Sequence, residues 1–452
     1  MARLLTHLSE GYNREFYRFC LTENYPFVVD LRGCHGSYLR TVEGQEILDW
    51  AGFYGSKMIA YNHPRLYERE YLDRLILAAN NKVPNPDFFT PECLAFYRTL
   101  YEHAPGCMKS SPDLEVYAVN SGAEAIENML KYLIAKHNRQ AGGRYRHLPK
   151  RFIFFRNSFH GRTVFALSVT NIQKDVVTGD FHPLYTHNLP ATFPACRFSA
   201  DGEGVFAAAN AGAVERSLFE IERYLEHYRG QVVAIVVEPI QSAGGHHVSV
   251  PRFFRELSAL AAEHDVYLAL DEVQTGLGLT GRPYAVDHFD LVRPPQAVAV
   301  AKKMGVGAVF MLDHLEDVGV LDSTWGGPLV DMVRVTQELR VVDEEGLIEA
   351  AAPKGEAVRR RLWKLAEEFP HLLENVRGYG LMLGFTVPDP ERRGLRDLLV
   401  RTALEEELLL LLEAGFDSIR LRPNLSVTWE EIDEFFVRLR NSLVRMTEAE
   451  SG

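Results

Sequence analysis

The chain has 452 residues, 46% hydrophobic and 24% charged, which is enough to bury a sizeable core in more than one domain. Acidic residues outnumber basic ones, 61 to 49, for a net charge of -12, and no basic stripe interrupts that balance, which argues against a partner bound through nucleic-acid phosphates. Five scattered cysteines form neither a disulfide framework nor a metal-ligand pattern.

The first residues, MARLLTHLSEGYNREF, turn charged and polar too early for a signal peptide. No later run approaches the roughly 18 apolar residues of a membrane span, so a cytoplasmic protein without a membrane partner is expected. The pieces YPFVVD, GSYLRTVEGQEILDW and the proline-bearing NKVPNPDFFT predict an N-terminal arm with a small strand pair. Residues 119–125 then read Val-Asn-Ser-Gly-Ala-Glu-Ala and lead into a helix, because Ile126, Met129, Leu130, Leu133 and Ile134 recur at three-to-four spacing. Ser121 at its cap, with Gly122 and Ala123 behind it, leaves unpaired N–H groups at the positive end of a helix dipole: a phosphate site, or an ordinary capped helix. After the strand RFIFF (residues 151–155) come Ser158-Phe159-His160-Gly161-Arg162. A ring there can stack on a flat cofactor and Arg162 can clamp a carboxylate; a buried Phe with a structural His is the plainer alternative.

Short apolar runs continue with VVAIVVE (232–238), VYLAL (266–270), AVAVA (297–301) and GAVFML (307–312), with an amphipathic helix at 253–264. Unbroken apolar runs mark strands covered on both faces, and predict an α/β domain with a mixed or mostly parallel sheet. Asp271-Glu272-Val273-Gln274-Thr275-Gly276 directly follows VYLAL, at the strand end where open α/β sheets bind ligands. A buried carboxylate stays ionised there beside a cation such as a protonated pyridine nitrogen; a Mg²⁺ site or a turn-capping acid is the alternative. Lys302-Lys303 follow AVAVA, where burial beside another cation suits an amine to Schiff-base chemistry, although surface lysines after strands are common. Ser323-Thr324-Trp325-Gly326-Gly327 offers hydroxyls for phosphate, or a plain turn.

Beyond residue 330 long helices dominate, at 329–341 and 355–368, followed by GLMLGFTV from Gly380 and LLLLLEAG from Leu408. In Arg420-Leu421-Arg422-Pro423, strand alternation puts both arginines on one face, making Arg422 a candidate for a carboxylate if it is not simply solvated. A final helix starts near Thr428, with Glu431 three positions on. The expected division is an arm and part of a small domain (1–75), a large domain (76–330) and a C-terminal small domain (331–452). Taken together, two phosphate-type sites, a strand-end Asp, a strand-end Lys and a stacking ring describe one pyridoxal phosphate pocket.

At these residues the sequence resembles the fold-type I, class III aminotransferases. The family's phosphate-binding SGxEA stands at Ser121 to Ala125, its aromatic-His-Gly at Phe159 to Gly161, and its DEVQTGxGxTG at Asp271 to Gly281. Within the class, NKVPNPDFFT, FHGR, LDSTWGGPLVDMVR, VRGYGLMLGF and SIRLRPNLSVT are most similar to the L-lysine 6-transaminases. The resemblance implies a large domain with a central mixed, mostly parallel sheet and a smaller α+β domain built from the C-terminus and the N-terminal segment. It implies a homodimer with shared active sites and pyridoxal 5'-phosphate held by Lys302 in preference to Lys303. Asp271 would pair with the pyridine nitrogen, Gln274 with the ring hydroxyl, and Ser323 and Thr324 with the phosphate, Thr324 reaching the neighbouring subunit. Arg162, Arg422 and Glu238 would face the substrates, lysine and 2-oxoglutarate, giving 2-aminoadipate 6-semialdehyde and glutamate. One departure stands out: where the class carries GEGG or GEAG after EPIQ, this chain reads Ser242-Ala243-Gly244-Gly245. The glutamate that masks the substrate arginine is therefore Ala243. An unmasked Arg422 favours α-amino acids, which keeps α-transamination, racemisation or another ω-amino donor (ornithine or 4-aminobutyrate) open; Asp322 is a second candidate for the masking role.

Overall fold

The computed structural model describes residues 3–172, 175–181, 187–315 and 319–451. Seven strands build its central sheet: β1 (Leu114–Val119), β2 (Arg151–Phe155), β3 (Leu189–Ala191), β4 (Val232–Val237), β5 (Tyr267–Asp271), β6 (Ala297–Val300) and β7 (Gly307–Leu312). They lie in the order β1-β7-β6-β5-β4-β2-β3, and only β7 runs antiparallel to its neighbours. The mixed, mostly parallel sheet expected from the apolar runs is what forms. β4 shows why those runs are unbroken: Val233, Ala234 and Val236 pack with Ile126, Met129 and Leu133 of the helix Gly122–Arg139, while Val232, Ile235 and Val237 pack with Phe253 and Leu257 of the helix Pro251–Glu263. Both faces are dry, so alternation disappears from the sequence.

A second, four-stranded antiparallel sheet contains β8 (Glu374–Tyr379), β9 (Met382–Thr386), β10 (Leu412–Ala414) and β11 (Ser418–Leu421), in the order β8-β9-β11-β10. The helices Leu347–Glu368 and Trp429–Ser451 belong to this region. Thr428 and Glu431 exchange reciprocal bonds at the start of the last helix, Thr428 N to Glu431 Oε2 at 2.8 Å and Glu431 N to Thr428 Oγ1 at 3.2 Å. The N-terminal strand pair, Tyr38–Arg40 with Glu46–Asp49, is extended by Leu409–Leu410, which ties the arm to the C-terminal part of the chain. Among the described residues no helix is long and apolar enough to cross a membrane.

The parallel strands present their carboxyl ends along one edge. Ser121 follows β1, His160 follows β2, Glu238 follows β4, Asp271 ends β5 and Lys302 follows β6. The topology alone therefore brings together residues up to 181 positions apart in the chain, Ser121 to Lys302.

Candidate active site

Along that edge lies a cavity of about 250 Å³ lined by Gly122, Ala123, Phe159, His160, Arg162, Glu238, Asp271, Gln274 and Lys302. On its floor Asp271, 5% exposed, accepts from His160 Nδ1 at 2.7 Å through Oδ2 and from the Val273 amide at 2.9 Å through Oδ1. The two rings of the aromatic-His pair thus divide: the half-buried Phe159 borders the cavity, while the buried His160 orients the aspartate. His160 Nε2 is buried without a partner among the described residues. Gly161, at φ +135°, lets this loop press on the helix start, since a Cβ there would lie 2.9 Å from Ala123 Cβ. Ser121 caps that helix, accepting from the Glu124 amide at 3.2 Å.

The adjacent lysines part company. Lys303 is buried and donates to the carbonyls of Gln274 (2.8 Å) and Gly276 (2.9 Å), fixing the loop after β5. Lys302, itself in the left-handed region at φ +37°, reaches the cavity and donates to the Tyr54 carbonyl at 3.3 Å. Burial, then the charges of Arg420 and Arg422, lowers its amine to about 8, against the opposing pull of Asp271 and Glu238. Glu238 accepts from the Phe159 amide at 3.1 Å, and burial, then the Asp271 carboxylate, pushes it well above the usual carboxylate range. Glu272 turns away from the cavity to cap the Ala285 and Val286 amides at 3.0 and 2.7 Å, a purely local role.

The arginines lie behind Gln274. Ser242, fully buried, donates to Gln274 Oε1 at 2.8 Å and accepts from Arg420 Nη1 at 3.1 Å and Arg422 Nη2 at 2.7 Å. Both arginines therefore share a face, as the alternation predicts. Arg422, 1% exposed, is otherwise occupied by His246 Nδ1 (3.0 Å) and the Leu421 carbonyl (2.7 Å), and burial holds its guanidinium far below the usual value. Among the described residues the Arg420 guanidinium bonds only to Ser242, and of the two arginines it is the stronger electrostatic neighbour of Lys302. Arg162 stands exposed at the rim, 5.9 Å from the Phe159 ring centre.

Of the expected residues, Ser121 and Arg422 stand behind the cavity lining, and three more lie off it. Ser323 accepts from Asn120 at 3.5 Å, Thr324 is exposed, and Asp322 accepts from the Tyr117 hydroxyl at 2.5 Å, in a separate groove, and not from Arg422. Sequence reading missed Ser242 as the hub of the arginines and Tyr54 as the acceptor for Lys302. No local pattern marks either, because the arginines are 178 and 180 residues from Ser242 and Lys302 is 248 from Tyr54.

Comparison with known proteins points to one family. A family profile for class-III aminotransferases matches residues 21–443. An L-lysine-epsilon aminotransferase of Mycobacterium tuberculosis is 35% identical over 446 residues, covering 95% of this chain and 94% of the relative. An acetylornithine aminotransferase of Archaeoglobus fulgidus is 31% identical, covering 90% and 93%. Among solved structures, a lysine aminotransferase from M. tuberculosis superposes with a TM-score of 0.87 at 33% identity, covering 96% of this chain and 98% of that one.

Proposed function

The chain belongs to the class-III aminotransferases, which are pyridoxal phosphate-dependent enzymes, and on that premise we propose that it transfers the ε-amino group of L-lysine to 2-oxoglutarate as a homodimer. The observation that carries the reading is the meeting of Lys302, Asp271 and His160 in one buried cavity beside the helix start at Ser121. Those residues fit the cofactor. Asp271 would hold its ring nitrogen, the amides after Ser121 its phosphate, Phe159 its flat face and Gln274 its ring hydroxyl. When bound, the cofactor supplies an electron-accepting ring conjugated to the substrate's amino carbon.

The protein's own groups do the rest. The carboxylate of Asp271, kept in place by His160 and the Val273 amide, favours a protonated nitrogen beside it. An amine lowered to about 8 has an accessible neutral form near neutral pH, so Lys302 can bind a carbonyl covalently, and once free can carry a proton between neighbouring carbon atoms. Arg420, with Arg422 behind it, is the stronger candidate for a substrate carboxylate, and Arg162 at the rim for a second one. The exposed Thr324, and an open groove of about 980 Å³ lined by Phe89, Leu94, Tyr117 and Asp322, support the dimer, with Ser323 and Thr324 turned to the partner's phosphate. The division at residues 75 and 330 belongs to the same reading.

Ala243 favours a second reading, an α-amino acid transaminase or racemase. It is half-buried, directly follows Ser242, and leaves both arginines without a carboxylate from that position. A half-reaction screen with L-lysine, L-ornithine, 4-aminobutyrate, L-alanine and L-glutamate separates the two. Lysine should convert the coloured enzyme fastest and yield a cyclic imine; fastest conversion by alanine or glutamate rejects the lysine reading, and a racemase would alter chirality without consuming an acceptor.

A further inference from the structure

Residues Gly52–Gly55 form a turn with four consecutive left-handed φ angles: +54° at Gly52, +47° at Phe53, +61° at Tyr54 and +78° at Gly55. Two of the four are bulky aromatics, which adopt this backbone only when something holds it. The holder is Asp49, 1% exposed, at the end of the strand Glu46–Asp49. Its Oδ1 accepts from the amides of Ala51 (2.9 Å) and Gly52 (2.8 Å), and its Oδ2 from the Phe53 amide (3.2 Å) and the Tyr61 hydroxyl (2.6 Å). The turn brings one carbonyl, Tyr54 O, to Lys302 Nζ, from which it accepts at 3.3 Å. The segment is also pinned to the arginine strand, with Arg422 N donating to the Trp50 carbonyl at 2.8 Å.

We propose that Asp49 is a positioning residue for the reaction: by holding Gly52–Gly55 left-handed it fixes the carbonyl that steadies the Lys302 amine. This rests on the assignment of Lys302 as the reactive lysine. A carbonyl acceptor stabilises the ammonium form and counteracts burial, Arg420 and Arg422, while Asp271 and Glu238 act in the same direction as the carbonyl. Loosening the turn therefore has two effects. The free amine loses its fixed place, and its proton affinity falls.

The test uses Asp49→Asn, which keeps one acceptor oxygen but replaces the other with an NH₂ that cannot accept from the two donors facing it. In the holoenzyme the single-turnover rate with the amino donor should fall by about tenfold or more. In the full chain stripped of cofactor, the pH midpoint for acylation of Lys302 by acetic anhydride, read by peptide mass spectrometry, should move down by roughly half a unit. Gly55→Ala loosens the same turn without touching Asp49: its Cβ meets Arg422 Cδ at an ordinary 3.5 Å, but the φ of +78° is strained for alanine. It should move both readouts in the same direction, and it decides the matter alone if Asp49→Asn does not fold. Folded variants whose acylation midpoint stays at the wild-type value overturn the proposal, even if they melt earlier, because that is the signature of a merely structural role. The two assignments fail separately: turnover retained in Lys302→Ala overturns the role of Lys302, whereas an unmoved midpoint with Lys302→Ala inactive overturns only that of Asp49.

Discussion

At the carboxyl end of β5, Asp271 accepts from His160 and from the Val273 amide, and its charge is served before any ligand arrives. In the nook between β9, β11 and the loop after β4, three arginines are treated differently. Arg377 donates to the carbonyls of Gly245, His246 and Asn375 and to the hydroxyls of Thr386 and Ser418, and Arg420 and Arg422 share Ser242. Every one of those acceptors is neutral. The carboxylates that act on Arg420, Glu413 and Glu238, do so through space. Burying cations against neutral acceptors is costly, and a ligand carboxylate offsets that cost more fully than a carbonyl can. The cavity floor is thus complete as a cradle, whereas the nook gains most when an anion enters.

The sharpest way to break this comparison is at the covalent end. Lys302→Ala should lower turnover by about 10³-fold and remove the visible absorbance of the bound cofactor, while Lys303→Ala, which removes two bonds to the loop after β5, should mainly lower stability. Steady-state rates with an absorbance spectrum check both. Next come the arginines. If Arg420 binds the substrate carboxylate, Arg420→Met should reduce kcat/KM by about 10²-fold, and Arg422→Met by less, because Arg422 is already engaged on several sides. Equal losses in the two variants would erase the distinction drawn between them.

Smaller again is the effect of Ala243→Glu. A carboxylate beside Ser242 should mask the arginines and shift the ratio of kcat/KM for terminal amines over α-amino acids by about tenfold; an unchanged donor profile would show that position 243 does not govern them. The smallest effect concerns pH. Burial, followed by the arginines, holds His246 well below its usual 6.5 and His247 down to about 4. Both stay neutral in the folded chain while the unfolded chain takes up protons below 6.5. At these two positions the unfolded state therefore binds more protons, and the histidine contribution to stability falls as pH drops below 6.5, by at most about 1.4 kcal/mol per histidine per pH unit. Because the raised carboxyl of Glu238 acts with the opposite sign in both proteins, the check is a difference: between pH 7 and pH 5, urea unfolding should show a change in stability that is less unfavourable in His246→Asn than in the wild type.

Much of the architecture was legible locally. The runs at β2, β4, β5, β6 and β7 are apolar on both faces and announce themselves, and the Thr428–Glu431 box marks the last helix. β1 escaped notice because Glu115 and Tyr117 break its run, leaving both residues half-buried at the sheet's edge, and β3 is only three residues long. Because the carboxyl ends of parallel strands share one edge, reading the strands also brought Asp271, Lys302 and His160 to the same cavity.

What the sequence determined by itself was this set of local facts: which runs are strands, which serine can cap a helix, and which acid, amine and ring stand at strand ends. Tertiary structure decided the pairings. His160 meets Asp271 across 111 residues, Ser242 gathers two arginines from 178 and 180 residues away, and the Tyr54 carbonyl reaches Lys302 across 248. Periodicity and capping act over a few residues and leave a pattern in the chain. A hydrogen bond between distant segments depends on how the sheets close over one another, and it leaves no local pattern to read.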